Sequence, residues 1–347
     1  MRITLRDVAM ASGVSVVAVS KVLHGTGQSV RVSAETAERI RKIAKELSYH
    51  PNTVARSLRF QKTHMVGVVF QHFDTLCDDN PYHPQLLNGI MAALFPKNYA
   101  LALCPKLVQG SEAGAIADGR FDGILWARPD FSDASLESVK NAHIPIVMVH
   151  APPGSLPGIP TFCIDNERAM QLVVDHLEGL GHRHVTFVAD RINRHTTEGI
   201  ARANAFSQAT QAAGIEGNIW FWDEKLDSFQ EYLAANPGLT ALASFSDMLA
   251  GHVLAVCQQL KIKVPQDLSV VGFDSSSFCE RTDPPLTSLR QQVEKIAFDA
   301  TSHLLAIIQG EVPEEQRSRP HFSLYPCQLD VRASTGAPSL WKSPNDI

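Results

Sequence analysis

At 347 residues the chain is longer than one compact core usually holds, and 44% apolar with 19% charged residues is an ordinary globular composition, so two or three domains are expected. No stretch reaches the roughly 20 apolar residues that cross a bilayer, and Arg2, Arg6 and Asp7 interrupt any leader-like start, so a cytoplasmic location is expected. The net charge of −5 is uneven: residues 1–62 carry 11 Lys+Arg against 4 Asp+Glu, a net of +7, which leaves −12 for residues 63–347.

A small basic module on an acidic body points to a polyanion partner, most commonly nucleic acid, although a solvated basic helix face would give the same charge. Cys77, Cys104, Cys163, Cys257, Cys279 and Cys327 form no C-x-x-C pair and lie in or beside apolar runs. They are expected to be reduced structural thiols, with no disulfide, metal or catalytic role.

The first predicted helix lies in "TLRDVAMASG", with Thr4 as its cap, Leu5, Val8, Ala9 and Ser12 at helical spacing, and Gly13 as its stop. Ser15 caps a second helix through "VVAVSKVLH", whose apolar face is expected to run through Val16, Val19, Val22 and Leu23, leaving Val17 outward. Two short helices joined by a glycine turn make a helix-turn-helix. A third helix follows Ser33, with Ala37, Ile40, Ile43, Ala44 and Leu47 as its buried stripe. After Pro51, "NTVARSLRF" is capped by Asn52 but has too few apolar residues to stand alone as a helix.

From Met65 onward, short apolar runs alternate with amphipathic segments: "MVGVVF", "ALALC", "GILWA", "PIVMVH", "TFCID", "HVTFVAD", "NIWFW", "ALASFS" and "LSVVGFD". Strands spaced by helices indicate parallel sheets covered on both faces, and this number of strands suggests two doubly wound sheets. The fold class is therefore α/β, with an all-α headpiece in front of it. Ligands in such sheets bind at the carboxyl ends of strands, which places a site in the cleft between them. Phosphate-loop, dinucleotide-loop, nucleophile-elbow and zinc-helix motifs are missing, so neither an enzyme nor a metal or cofactor site is expected. His182 and His184 read as capping or surface histidines. The helix "PQLLNGIMAALF" has enough apolar surface to join a subunit interface, and the tail from Gly336 is expected to be loosely ordered.

The ordered set T-x-x-D-V-A, G-V-S, V-S-x-V-L, R-I, A-x-x-L-x-Y-x-P-N and A-R-S-L over residues 2–60 resembles the headpiece of LacI/GalR-family bacterial transcriptional regulators. The resemblance extends to about residue 335 through "IDNERAMQLVVDHLEGLGHRHVTFV", "FSDMLAGHVL", "VPQDLSVVGFDSSSF" and "PPLTSLRQ", which are similar to the family's periplasmic-binding-protein-like core. It implies residues 1–50 as headpiece, 51–62 as hinge, 63–164 with 291–323 as one subdomain, 165–290 with 324–335 as the other, and 336–347 as tail. The implied function is a homodimeric repressor that binds a pseudo-palindromic operator in double-stranded DNA under control of a carbohydrate-type effector.

Ser15, Val16, Val17, Ser20 and Lys21 would then meet the major groove, and Thr4 and Leu5 would approach phosphates. Asn52, Ala55, Arg56 and Leu58 would belong to the minor-groove hinge, with Leu58 as the wedge between base steps. In the core, Arg202 and Asp274 would hydrogen-bond the effector, and Ser246, standing where the family has Asn, would face the cleft. Phe73 and Trp222 would stack on a sugar ring. Alternatives remain at this level: Arg202 as a surface helix residue, Asp274 as a cap for Ser275 and Ser276, and the aromatic residues as core. Asp165 and Asn166 read as a helix cap and turn.

Overall fold

The computed structural model describes residues 3–24, 31–50, 62–70, 82–104, 119–127, 142–317 and 321–339, with 136, 137 and 139. It separates into two compact units, 1–63 and 64–347.

In the first unit, α1 (Leu5–Ser12), α2 (Val16–His24) and α3 (Ala34–Glu46) enclose Val8, Ala9, Val19, Ile40 and Ala44. Thr4 and Asp7 form a reciprocal capping box that satisfies the first N–H groups of α1. Gly13, at φ 66°, ends α1 in the left-handed conformation that a side chain disfavours, and its N–H bonds back to Ala9 and Met10. Ser15 Oγ accepts from the Ala18 N–H at 3.2 Å and so starts α2, which turns 109° from α1. The valine run is a helix. Its inward side is Ala18 and Val19 with Val22 and Leu23 beside them, whereas Val16, expected on that side, is 38% exposed.

The second unit holds two six-stranded sheets. Its first lobe begins with β1 (Met65–Phe70), α4 (Tyr82–Leu94), β2 (Ala100–Cys104), β3 (Gly123–Ala127), β4 (Ile146–Val149) and β5 (Thr161–Ile164). The chain then crosses to α5 (Asn166–Gly179), β6 (His184–Asp190), α6 (Thr197–Ala213), β7 (Glu216–Trp222), α7 (Leu226–Ala235), β8 (Ala241–Ser244), α8 (Asp247–Gln259), β9 (Ser269–Asp274) and β10 (Thr287–Arg290). It returns to the first lobe for α9 (Val293–Gln309) and β11 (Phe322–Tyr325), and crosses once more to β12 (Gln328–Asp330).

The strand orders are β11-β5-β4-β3-β1-β2 and β12-β10-β9-β8-β6-β7. β1, β3, β4, β5 and β8 are buried almost throughout, as strands covered by helices on both faces must be, whereas the edge strand β2 is partly exposed.

Several expectations need correction. The second sheet is not wholly parallel, because β12 runs antiparallel to β10. β11 pairs along its full length with β5, from Phe322 opposite Thr161 to Tyr325 opposite Ile164, so the last crossing falls after Tyr325 rather than at 323/324. β10, β11 and β12 carry short or mixed patterns that the apolar runs did not mark. The apolar face of α4 is spent inside the protomer, where Leu86, Ile90 and Leu94 pack with Ile296, Ala300 and Leu304 of α9.

The tail is anchored as far as Ser339: Gly336 donates to Ser269 Oγ, and its carbonyl lies 3.0 Å from His182 Nε2. His182 itself is buried, neither cap nor surface, and also bonds Thr240 Oγ1 at 2.8 Å. Among the described cysteines all are free thiols, and burial pushes Cys163, Cys257, Cys279 and Cys327 up to about 12; Cys77 lies outside the described residues.

Candidate effector cavity and nucleic-acid interface

In both sheets the strand order reverses at the first strand, and in the second sheet the chain leaves β6, β8, β9 and β10 toward one cleft. The residues just past those strand ends are Asp190, Ile192 and Asn193, then Phe245 and Ser246, then Asp274, then Gln291. All of them line a cavity of about 290 Å³, together with Glu198 and Arg202 from α6, Met248, Leu249 and His252 from α8, Glu224, and Tyr82 and His83 from the start of α4. A pocket in this place is the general consequence of doubly wound topology.

Arg202 anchors the floor. It is 2% exposed, and its guanidinium donates to Glu198 Oε1 at 2.5 Å, to the Phe245 carbonyl at 2.7 Å and to Asn166 Oδ1 at 3.2 Å. The Phe273 ring centroid lies 3.5 Å from its Cζ and that of Phe245 4.4 Å. A charge buried this deeply survives only with a paired carboxylate and filled donors, which Glu198, one helical turn earlier, provides. The surface-helix reading of Arg202 is thereby excluded. Glu198 also lies 3.7 Å from Nδ1 of His150, at the end of β4 in the other lobe.

Asp274 ends β9 at φ 120°, and Ser275 follows at φ 47°. The cap reading of Asp274 does not hold in its simple form: the Ser275 N–H bonds Ser288 Oγ at 3.0 Å, and the Ser276 N–H bonds Asp247 Oδ2 at 2.8 Å. Asp274 instead accepts from Gln291 Nε2. Asp247 is buried at the start of α8, and its Oδ1 accepts from Ser288 Oγ at 2.5 Å. Only glycine fits at position 272, since a Cβ there would stand 2.5 Å from Asp247 Oδ1. Burial, followed by the neighbouring Asp247 carboxylate, pushes the Asp274 carboxyl well above its ordinary value. Burial raises Asp247 too, against the hydrogen bonds it accepts from Ser288 and Ser276.

Ser246 lines the cavity, but its Oγ also caps α8 by accepting from the Leu249 N–H at 3.2 Å. Trp222 is corrected: it is fully buried, packs on Trp220 and Phe229 and donates Nε1–H to the Lys225 carbonyl, so no ring face meets the cavity. Trp126 is likewise core. A tryptophan near a strand end cannot be assigned to cleft or core until the facing helix is placed. Phe73 lies outside the described residues.

Asp165 does cap α5, accepting from the Arg168 N–H, while Asn166 reaches across to Arg202. Sequence reasoning missed Asp190, Asn193, Glu198, Glu224, His252 and Gln291. Glu198 carried a signal in its i, i+4 spacing to Arg202, and Gln291 becomes visible once "TSLR" is recognised as a strand.

In the headpiece, α2 presents Val17, 50% exposed, with Val16 beside it and Lys21 half-buried at its flank. Ser15 is exposed and occupied as the cap, Thr4 is exposed, and Leu5 packs partly against the core. Ser20, 5% exposed, points inward and is not available at the surface. Asn52, Ala55, Arg56 and Leu58 lie outside the described residues.

Residues 4–52 match the family described as bacterial regulatory proteins, lacI family, and residues 174–335 match the periplasmic binding protein-like domain, together more than half of the chain. The HTH-type transcriptional regulator DegA of Bacillus subtilis (strain 168) is 29% identical over 349 residues, covering 96% of this chain and 98% of its own. The HTH-type transcriptional repressor PurR of Aliivibrio salmonicida (strain LFI1238) is 27% identical, covering 93% and 96%.

Among solved structures, the lac repressor dimer bound to operator and the anti-inducer ONPF superposes with a TM-score of 0.80 over 97% of this chain and 100% of its own. At 22% identity it shows the fold. A transcriptional regulator CelR–cellobiose complex is 26% identical, with a TM-score of 0.67 over 96% of this chain and 100% of that one. With a lacI-type helix-turn-helix domain, a periplasmic-binding-protein-like domain and regulators along its whole length as relatives, the chain belongs to the LacI family.

Proposed function

We propose that this protein is a sequence-specific DNA-binding repressor whose operator affinity is set by a small hydroxylated effector in the cavity around Arg202 and Asp274. The observation that carries the reading is the pairing, in one chain, of a helix-turn-helix with an outward Val17 and a polar cavity built from the strand ends of a doubly wound core. Relatives described as repressors, and one described as a complex with cellobiose, support it.

Two headpieces on a homodimer would read a pseudo-palindrome, as the solved lac repressor dimer on its operator suggests. Val17 contacts a thymine methyl, since a valine cannot hydrogen-bond a base edge; Ser15, Val16 and Lys21 lie around it, and Thr4 and Leu5 face phosphates. Ser20 is a core residue of α2 and drops out of the readout. Asn52, Ala55, Arg56 and Leu58 supply the hinge, with Leu58 wedged in the minor groove. The effector shifts the balance between lobe arrangements and, through the subunit contacts, the hinge. The protein acts in the cytoplasm, where its operator is, and carries no catalytic activity; that its relatives are regulators supports both statements.

Selection of the full-length protein against random-sequence duplex pools tests the reading. A symmetric consensus is expected. Binding that falls steeply with salt and shows no preferred site would instead describe a small-molecule carrier with a non-specific DNA-binding module. Leu58→Ala should weaken specific binding more than non-specific binding.

A further inference from the structure

The cavity is acidic and rich in hydrogen-bond acceptors, and its internal pairing is lopsided. Among the described lining residues, four carboxylates (Asp190, Glu198, Glu224 and Asp274) face a single Arg or Lys side chain, Arg202. Arg202 offers a ligand no net charge, because Glu198 neutralises it at 2.5 Å and Phe245 and Asn166 take further donors. Three further side-chain donors of the lining are engaged by carboxylates: Asn193 Nδ2 on Asp190 at 2.5 Å, Gln291 Nε2 on Asp274, and His252 on Glu224; Tyr82, His83 and Ser246 complete the polar lining.

One acceptor beside Asp274 is left over. Gln291 is 6% exposed, lines the cavity, and its Oε1 is buried without a hydrogen-bond partner. Leaving a buried acceptor without a donor is destabilising. Two helix N-termini meet the cavity, which would ordinarily attract an anion. Each already carries a carboxylate in its first turn, Glu198 on α6 and Asp247 on α8.

We propose that the effector is a small hydroxylated molecule bearing a protonated primary amine, of the amino-sugar or aminopolyol class, whose ammonium group is held by Gln291 Oε1 and the Asp274 carboxylate. This rests on the cavity being the effector site. An ammonium group has three donors and no lone pair, so it matches a carboxyl group beside an unfilled acceptor, and its charge offsets the excess of carboxylates in the described lining. Among the described lining residues a phosphate or carboxylate would meet like charges, with Arg202 already paired to Glu198.

Asp274 faces Asp247 from α8, Arg202 and Glu198 from α6, and Gln291 beyond β10, and burial raises its carboxyl. A paired ammonium favours the charged form of that carboxyl and so works against the burial that raises it.

Titration calorimetry on the full-length protein tests this with matched pairs: glucose and glucosamine, galactose and galactosamine, mannose and mannosamine, with glucose 6-phosphate as the anionic probe, each up to about 10 mM. In at least one pair the amine should bind about tenfold or more tighter than its hydroxyl counterpart. Asp274→Asn and Gln291→Leu should erase that preference, while a thermal melt checks that both variants are folded. A neutral or phosphorylated sugar binding as tightly as any amine, with loss in Asp274→Asn, would overturn the amine and leave the cavity standing. Amine binding indifferent to both variants would overturn the cavity itself, and absence of amine binding in all three pairs would also overturn the proposal.

Discussion

The headpiece and the cavity at the strand ends place their polar groups in opposite ways. The headpiece closes its interior with Val8, Ala9, Val19, Ile40 and Ala44, satisfies its helix starts with Thr4, Ser15 and Ser33, and leaves apolar Val16 and Val17 on the outside. The cavity floor instead buries Glu198, Arg202, Asp247 and Gln291 and holds Asp274 and Ser275 at positive φ. The small unit therefore keeps a minimal apolar core and exposes side chains that do not support the fold. The cavity is lined by groups whose burial costs stability, so its lining chemistry and the stability of the core cannot be varied separately.

The sharpest break of this contrast is Ile40→Ala. It should cost about 2–5 kcal/mol, enough to unfold a unit of this size and abolish operator binding, while leaving the melting of residues 64–347 in place. A calorimetric scan that resolves the two transitions checks it. If both transitions fall together, the two units do not fold independently. Arg202→Ala should come next, costing the core about 3–5 kcal/mol because Glu198 is left buried without its cation. Arg202→Ala combined with Glu198→Ala should recover part of that loss in the same denaturant titration.

Asp274→Asn should act in the opposite direction. A carboxyl raised above its ordinary 3.8 stabilises the fold fully below that value and loses the contribution as pH rises through the raised one. The amide, which cannot ionise, should therefore stabilise the effector-free core by on the order of 1 kcal/mol near neutral pH and make little difference below about pH 4. Equal gains at both pH values would remove burial as the cause. Val17→Gln marks the other extreme, expected within about 0.5 kcal/mol of the parent in stability yet changing the preferred base at one half-site position in a selection experiment.

A pH-dependent effect is expected at the stacked pair His303 and His321, whose ring centroids lie 4.4 Å apart beside Phe162. Burial, reinforced by His321, lowers His303 to about 4, so it contributes stability above its ordinary 6.5 that is lost as pH falls from there toward 4. His303→Gln should flatten that part of the stability profile in pH-dependent melting.

Much of this protein was legible before its coordinates. Thr4, Gly13, Ser15 and Ser33 act within a few residues of themselves, so the helix starts and the turn are local consequences of side-chain chemistry. Buried parallel strands announce themselves as apolar runs because both faces are covered, and nine of the twelve strands lie in such runs. Arg202 and Asp274 stood out through the motifs that contain them, and both line the cavity.

Only the tertiary structure decided what those residues meet. Local pattern marks a residue as apolar or charged but cannot say which of two covered faces it takes. Trp222 therefore went to the core, and Ser20 and His182 went inward. Nor can it count the partners a polar group finds across 30 or 100 residues: Arg202 finds Asn166 and Phe245, Gly272 makes room for Asp247, and Gln291 is left with one oxygen unsatisfied. Helix caps are settled by neighbours in sequence, whereas a cavity is settled by neighbours in space, and the latter exist only after both sheets have formed.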